Sequence, residues 1–252
     1  MKINIYQGRT VPPTVADTTI VIDVIRAFTV AHYAFLQGVS RILLAETVEQ
    51  AFQIKKEHPE YLLAGEVAGL AIKGFDLDNS PYHIQEKNLT GKVLVQKTTN
   101  GVRATLNCLK SDSVFVTGFT NARNTAEFVK ERITGEEETI NIIASHPSGD
   151  DDLACAEYIK SLIEDSSSIS AREVVDRIKQ SHVAAKFYDR ENKAFQYEDI
   201  FQCIRELNTD FVMKVDHASK IPTIERVQYD GNRFNFANKG SETKTKRINS
   251  SY

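Results

Sequence analysis

The sequence predicts an α/β protein: a three-layer α/β/α arrangement with a mostly parallel sheet, and a C-terminal helical cap or subdomain. Three observations point there. Short β-branched runs alternate with helix-type segments over the first two thirds of the chain, the pattern of strands joined by crossover helices. The 252 residues are 41% hydrophobic, enough for one large core. From Ser166 the texture changes, and a Ser-rich run opens a stretch with helical spacing and a single strand-like return. The expected division is a core at 1–165, a helical cap at 166–238 that returns one strand to the core, and a polar, lysine-rich tail at 239–252.

The first ten residues, MKINIYQGRT, lack a signal-peptide core and read as a first strand. Thr19–Ile25 is a buried strand built on Ile20, Val21 and Ile22, with Asp23 and Arg26 as charges at its lip. A helix from Phe28 to Leu36 follows and stops at Gly38. The strand Arg41–Ala45 leads to a helix Val48–Glu57, closed by His58-Pro59. Tyr61–Ala64 is a strand that runs into a long loop, Gly65–Pro81. Three further strand–helix pairs come next: Lys92–Gln96 with Val102–Leu109, Ser113–Thr117 with Ala122–Ile133, and Thr139–Ala144 with Asp151–Ile163. In the cap, Ser170 is placed to cap a helix Ala171–Lys179. Tyr197–Leu207 is helical, and Pro222–Val227 is the return strand.

Composition excludes several classes. A net charge of −3 gives a nucleic-acid partner no electrostatic support. No run approaches the ~18 apolar residues of a membrane span. Cys108, Cys155 and Cys203 are widely spaced and suggest neither a disulfide framework nor a zinc knuckle. The expectation is a soluble, cytoplasmic protein, and apolar helices without a clear partner face allow a homodimer.

Ligands of open parallel sheets bind beyond the carboxyl ends of the strands. The segments there share a pattern. Arg26, Arg103 and Arg123 each lie near a helix start, where the macrodipole disfavours a cation, so three of them together suggest a bound anion. Backbone amides of the turns Thr98-Thr99-Asn100-Gly101 and Thr120-Asn121-Ala122 offer an anion cradle, with ordinary capping as the alternative. The acidic candidates are Asp23, Glu66, Asp76, Asp78, Asp151 and Asp152. Asp23 is either paired with Arg26 or a metal ligand, since a buried carboxylate is costly alone. Carboxylate oxygens joined by waters and a phosphate are what magnesium takes. Asp76 to Ser80 mimics the DxDx[ST] nucleophile loop without the apolar strand that should precede it. Cys155 reads as a packed helix residue, and His146 is the one histidine placed at a strand end.

These segments resemble the 2-phosphosulfolactate phosphatase (ComB) family. The resemblance is carried by Asp23-Val24-Ile25-Arg26-Ala27, Gly65-Glu66, Gly74 to Pro81 (GFDLDNSP), Thr98 to Ala104 (TTNGVRA), Asn121-Ala122 and Asp151 to Ala156 (DDLACA). It implies a magnesium-dependent phosphatase whose substrate, 2-phospho-3-sulfolactate, carries phosphate, sulfonate and carboxylate. Carried over by position, Asp23, Glu66 and Asp152 would lie near the metal, and Asp23, Asp151 and Asp152 would serve catalysis. Arg26, Thr98, Thr99, Asn100, Gly101, Arg103 and Asn121 would hold anions, and Arg123 joins them from the turn pattern. Val67, Asp78, Lys97, Asp151 and Glu157 depart from the residues usual in the family. Two alternatives stay open: a related phosphatase of another small phosphate ester, and a non-catalytic anion-binding protein on the same fold.

Overall fold

A computed structural model describes residues 1–135 and 137–229, and the expected polar tail at 239–252 lies outside them. In chain order the first half runs β1 (Lys2–Gln7), β2 (Thr18–Ile22), α1 (Ala27–Leu36), β3 (Arg41–Leu44), α2 (Val48–Glu57), β4 (Leu62–Val67), β5 (Leu70–Ala71), α3 (Pro81–Gln85), β6 (Val93–Lys97) and α4 (Gly101–Leu106). It continues with β7 (Ser113–Thr117), α5 (Ala122–Lys130), β8 (Thr139–Ala144), α6 (Asp150–Ile163), α7 (Ala171–Gln180), α8 (His182–Tyr188), α9 (Tyr197–Cys203), β9 (Phe211–Asp216) and β10 (Thr223–Gln228).

All ten strands join one sheet in the order β1-β8-β2-β7-β9-β10-β3-β6-β4-β5. One parallel block holds β1, β8, β2 and β7. A second holds β3, β6 and β4. The hairpin β9–β10 sits between them and is antiparallel to both neighbours. Three antiparallel steps therefore give the two blocks opposite senses in the ladder. Twist of about 20–25° per strand accumulates across the sheet, and the carboxyl ends of β2, β4 and β6 still meet through hydrogen bonds described below.

Period-two patterning sets the layers. In β2, Val21 packs with α1, whereas Ile20 and Ile22 pack with the layer of α5, α6 and α7. Helix α2 covers a smaller cluster over Leu43, Leu63 and Val95. Ser170 caps α7 as expected, in a reciprocal capping box with Glu173.

Several boundaries differ from the sequence reading. The expected single return strand is a two-stranded hairpin, because Phe211, Met213 and Val215 bury alternately beside β7. The long loop after Ala64 contains the short strand β5 and the helix α3, which Ser80 caps and Pro81 opens. Helix α8, capped by Ser181, was also unexpected. The helices after β6 and β7 end three residues early, and α9 ends four early, at Cys203.

Candidate active site

Four buried carboxylates knit together the turns after β2, β4, β6 and β8. Asp23 Oδ1 accepts from the Ala27 amide at 2.9 Å, and Oδ2 accepts from the Gly101 amide at 2.9 Å. A Cβ on Gly101 would fall 2.7 Å from that oxygen, so the close approach requires glycine. Asp152 takes the amides of Val24 (2.7 Å) and His146 (2.9 Å) and the Ser145 hydroxyl (3.1 Å). Glu66 takes the Thr99 amide (2.5 Å) and hydroxyl (2.9 Å) and the Gly69 amide (2.5 Å). Asp151 accepts from the Ser181 hydroxyl at 2.8 Å.

The amides of Thr99 and Gly101 therefore serve the protein's own carboxylates, and the Val102 amide serves the Thr98 hydroxyl. The turn that the sequence marks as an anion cradle is filled from within. Clustering of acids has a cost. Burial, with Glu66 and Asp151 nearby, pushes Asp23 up to about 7. Burial likewise raises Asp151, and burial with Asp151 and Asp23 raises Asp152. Asp23 does not pair with Arg26, whose guanidinium instead meets Asp199 of α9 at 2.7 Å.

Over this cluster lies a pocket of about 330 Å³ with a cationic lining. Arg26 is one wall, buried against Phe187 and donating to the Gly69 carbonyl at 3.0 Å. Arg9 is another, held by Asn100 Oδ1 at 2.8 Å. Lys186 of α8 is the third cation, and Glu66 is the acid in the lining. His146 and Ser148 complete one side. His146 Nδ1 accepts from the Ser148 amide at 3.2 Å, leaving Nε2 to carry the proton of the neutral ring. Burial and then His182 hold its pKa below the usual range. Asn79 also lines the pocket, and its Oδ1 is buried without a hydrogen-bond partner among the described residues.

Of the residues expected from sequence, Arg26, Glu66, Thr99 and Asn100 line this pocket. Asp23, Asp151, Asp152, Thr98 and Gly101 belong to the network beneath. Arg103 is exposed on α4, outside the lining. Arg123 is engaged with Tyr158 and Glu206, and Asn121 donates to the Phe211 carbonyl at 3.1 Å, binding the turn after β7 to β9. Asp76 accepts from the Leu63 amide, and Asp78 from the Ser80 amide and His83. Cys155 is fully buried with its thiol pKa raised well above the usual range by burial. Arg9, Asn79 and Lys186 were missed. Arg9 follows Gly8 after β1, a position the rule of post-strand turns would have flagged.

The sequence profile of the 2-phosphosulpholactate phosphatase family matches residues 6–227. The chain belongs to this family. A probable 2-phosphosulfolactate phosphatase of Bacillus subtilis (strain 168) is 54% identical over 227 residues, 90% of this chain and 99% of the relative. One of Clostridium perfringens (strain SM101 / Type A) is 30% identical over 82% of this chain and 88% of the relative. One of Caldicellulosiruptor saccharolyticus is 35% identical over 57% of this chain and 61% of the relative. The family match takes in the 182–199 segment that closes the pocket as well as the turns that carry the motifs.

Proposed function

We propose that this protein hydrolyses the phosphate monoester of a small sulfonated or carboxylated hydroxy acid, with 2-phospho-3-sulfolactate as substrate and 3-sulfolactate and phosphate as products. The observation that carries the reading is the pocket: Arg9, Arg26 and Lys186 converge on a small cavity beside Glu66, in a chain of this family. Three cations suit a multiply anionic molecule of that size.

Magnesium fits as the cofactor. Among the described residues no three His, Cys, Asp or Glu side chains form a ready-made metal cage. Magnesium commonly takes one or two carboxylates, with waters and substrate phosphate supplying the rest. Asp23 and Glu66 are hard oxygen donors tied to one turn through the Gly101 and Thr99 amides, and a divalent cation would relieve the repulsion between them. When bound, the ion supplies Lewis-acid charge to a phosphoryl oxygen.

The chain's own residues do the rest. Arg26, fixed by Asp199 and the Gly69 carbonyl, presents a preorganised guanidinium to the transferring group. Arg9, anchored on Asn100, adds a second guanidinium to the lining to neutralise the substrate's charge. Asp23, tied to the Ala27 and Gly101 amides beneath the pocket, would hold the ion from the turn after β2. His146, in the pocket lining, accepts at Nδ1 from the Ser148 amide and keeps a donor N–H at Nε2.

The test is phosphate release from 2-phospho-3-sulfolactate, with and without magnesium. Turnover that stops with a chelator and returns with magnesium supports the reading. A panel adding phospholactate and phosphoglycolate separates the sulfonated substrate from its carboxylated relatives. No turnover on any ester in magnesium would overturn it.

A further inference from the structure

The three cations of the pocket are not equivalent. Arg26 is balanced by Asp199, which is fully buried. Arg9 is held by neutral oxygens, those of Asn100 (2.8 Å) and Thr99 (3.4 Å), on the turn that also carries Glu66's partner amide. Lys186 has no carboxylate within 4 Å among the described residues and no hydrogen bond to neutralise its ammonium. It is half-buried, with Nζ 4.6 Å from the Phe195 ring centre.

Lys186 and Arg26 come from distant parts of the chain and meet at one residue. Arg26 Nη2 donates to the Gly69 carbonyl at 3.0 Å, and a Cβ on Gly69 would fall 2.9 Å from Lys186 Nζ. Gly69, at φ +85°, therefore leaves the space that the ammonium occupies. Glu66, Asp151 and Asp23 favour the ammonium from beyond contact, but burial and Arg26 outweigh them, and an anion in the pocket would restore the balance. The pocket thus has two cationic ends. Arg9 marks the one at Thr99 and Asn100, Lys186 marks the one formed by α8 and Gly69, and Glu66, bonded to both the Thr99 and Gly69 amides, lies between them.

We propose that Lys186 determines specificity by binding the acid group that the substrate carries beside its phosphate ester, a sulfonate or carboxylate on the adjacent carbons. This rests on the phosphatase reading above and assigns a residue to the part of the substrate that does not react. Phosphate occupies the end with Arg9, beside Glu66 and Arg26, and the second acid group reaches Lys186. Arg26, bonded to the Gly69 carbonyl, faces the same cavity. A phosphate ester without a second acid group leaves Lys186 empty-handed and binds without its help.

The experiment compares wild type with Lys186→Met, which keeps the apolar stem against Phe195, and Lys186→Arg, which keeps the charge. The substrates are 2-phospho-3-sulfolactate and isopropyl phosphate, with thermal melting to show that each variant folds. In Lys186→Met the ratio of kcat/KM for the sulfonated ester over isopropyl phosphate falls about tenfold or more, mostly through KM, the size expected of one charge-assisted hydrogen bond. Lys186→Arg recovers much of it. An equal loss on both substrates, or no loss on either, overturns the proposal. If wild type turns over no ester, the phosphatase reading fails by itself. Lys186 is then judged by calorimetric binding of 3-sulfolactate: about tenfold weaker binding in Lys186→Met supports it, and unchanged binding or no binding to wild type overturns it.

Discussion

Asp199 and Arg26 form the most enclosed ion pair described here, with side-chain exposures of 0% and 6%. Asp199 also accepts from the Ser80 hydroxyl at 2.5 Å and the Tyr82 amide at 3.2 Å, so its charge is shared among three elements. Removing one partner of such a pair strands the other. Arg26→Ala should lose about 3–5 kcal/mol of stability, and Arg26→Ala with Asp199→Leu should regain part of that. Chemical denaturation of the two variants measures it. Asp23 behaves differently. Its pKa rises from 3.8 unfolded to about 7 folded, so it favours the folded state fully below pH about 4, and that contribution is lost as pH rises through about 7. Asp151 and Asp152 shift in the same direction. In metal-free protein the melting temperature of wild type should therefore decline more steeply between pH 4 and 7 than that of Asp23→Asn. Magnesium should raise the wild-type melting temperature more at pH 8 than at pH 5. Equal slopes with and without Asp23 would refute this. The arginines divide as well. Arg9→Ala should raise KM about tenfold or more, whereas Arg103→Ala and Arg123→Ala, outside the pocket, should leave KM unchanged.

Among the elements, the turns that carry the candidate site were readable in the sequence because polar residues there interrupt apolar runs: Asp23 after Ile22, Glu66 in β4, Thr98 after β6. The partners of those residues were not readable. Nothing local says that the Thr99 and Gly101 amides point at Glu66 and Asp23, because that depends on how β4, β6 and β2 are set against one another. Lys186 and Arg9 escaped notice for a similar reason: each reaches the site from an element whose own pattern is unremarked, a seven-residue helix and the residue after a glycine. The placement of β4 beside β6 has its own requirement. Gly65 has φ +142°, and a Cβ there would fall 1.9 Å from the Lys97 carbonyl oxygen, a backbone atom that cannot move aside. Gly65→Ala should cost several kcal/mol, about the size of a severe packing error, and should weaken binding at Glu66 one residue on. Denaturation and KM together check both effects.

For the whole molecule, the sequence pattern identified the fold class and a mostly parallel sheet, but not where the returning C-terminal strand enters it. The hairpin β9–β10 lies in the middle of the sheet, a placement that depends on long-range strand order and not on any local pattern. The site consequently forms where two parallel blocks of opposite sense approach, not along a single carboxyl rim. Truncation before Phe211 should abolish cooperative unfolding of the remainder, as read by circular dichroism, because both β7 and β3 would lose a hydrogen-bonded neighbour. The same hairpin has a consequence for biosynthesis. While the chain is still emerging from the ribosome, its two half-sheets have no ladder joining them, and the keystone that locks them is translated after both. Joining of the sheet thus waits for the segment 211–228, and until it has been made the facing edges of β7 and β3 are raw surfaces for chaperones to shield.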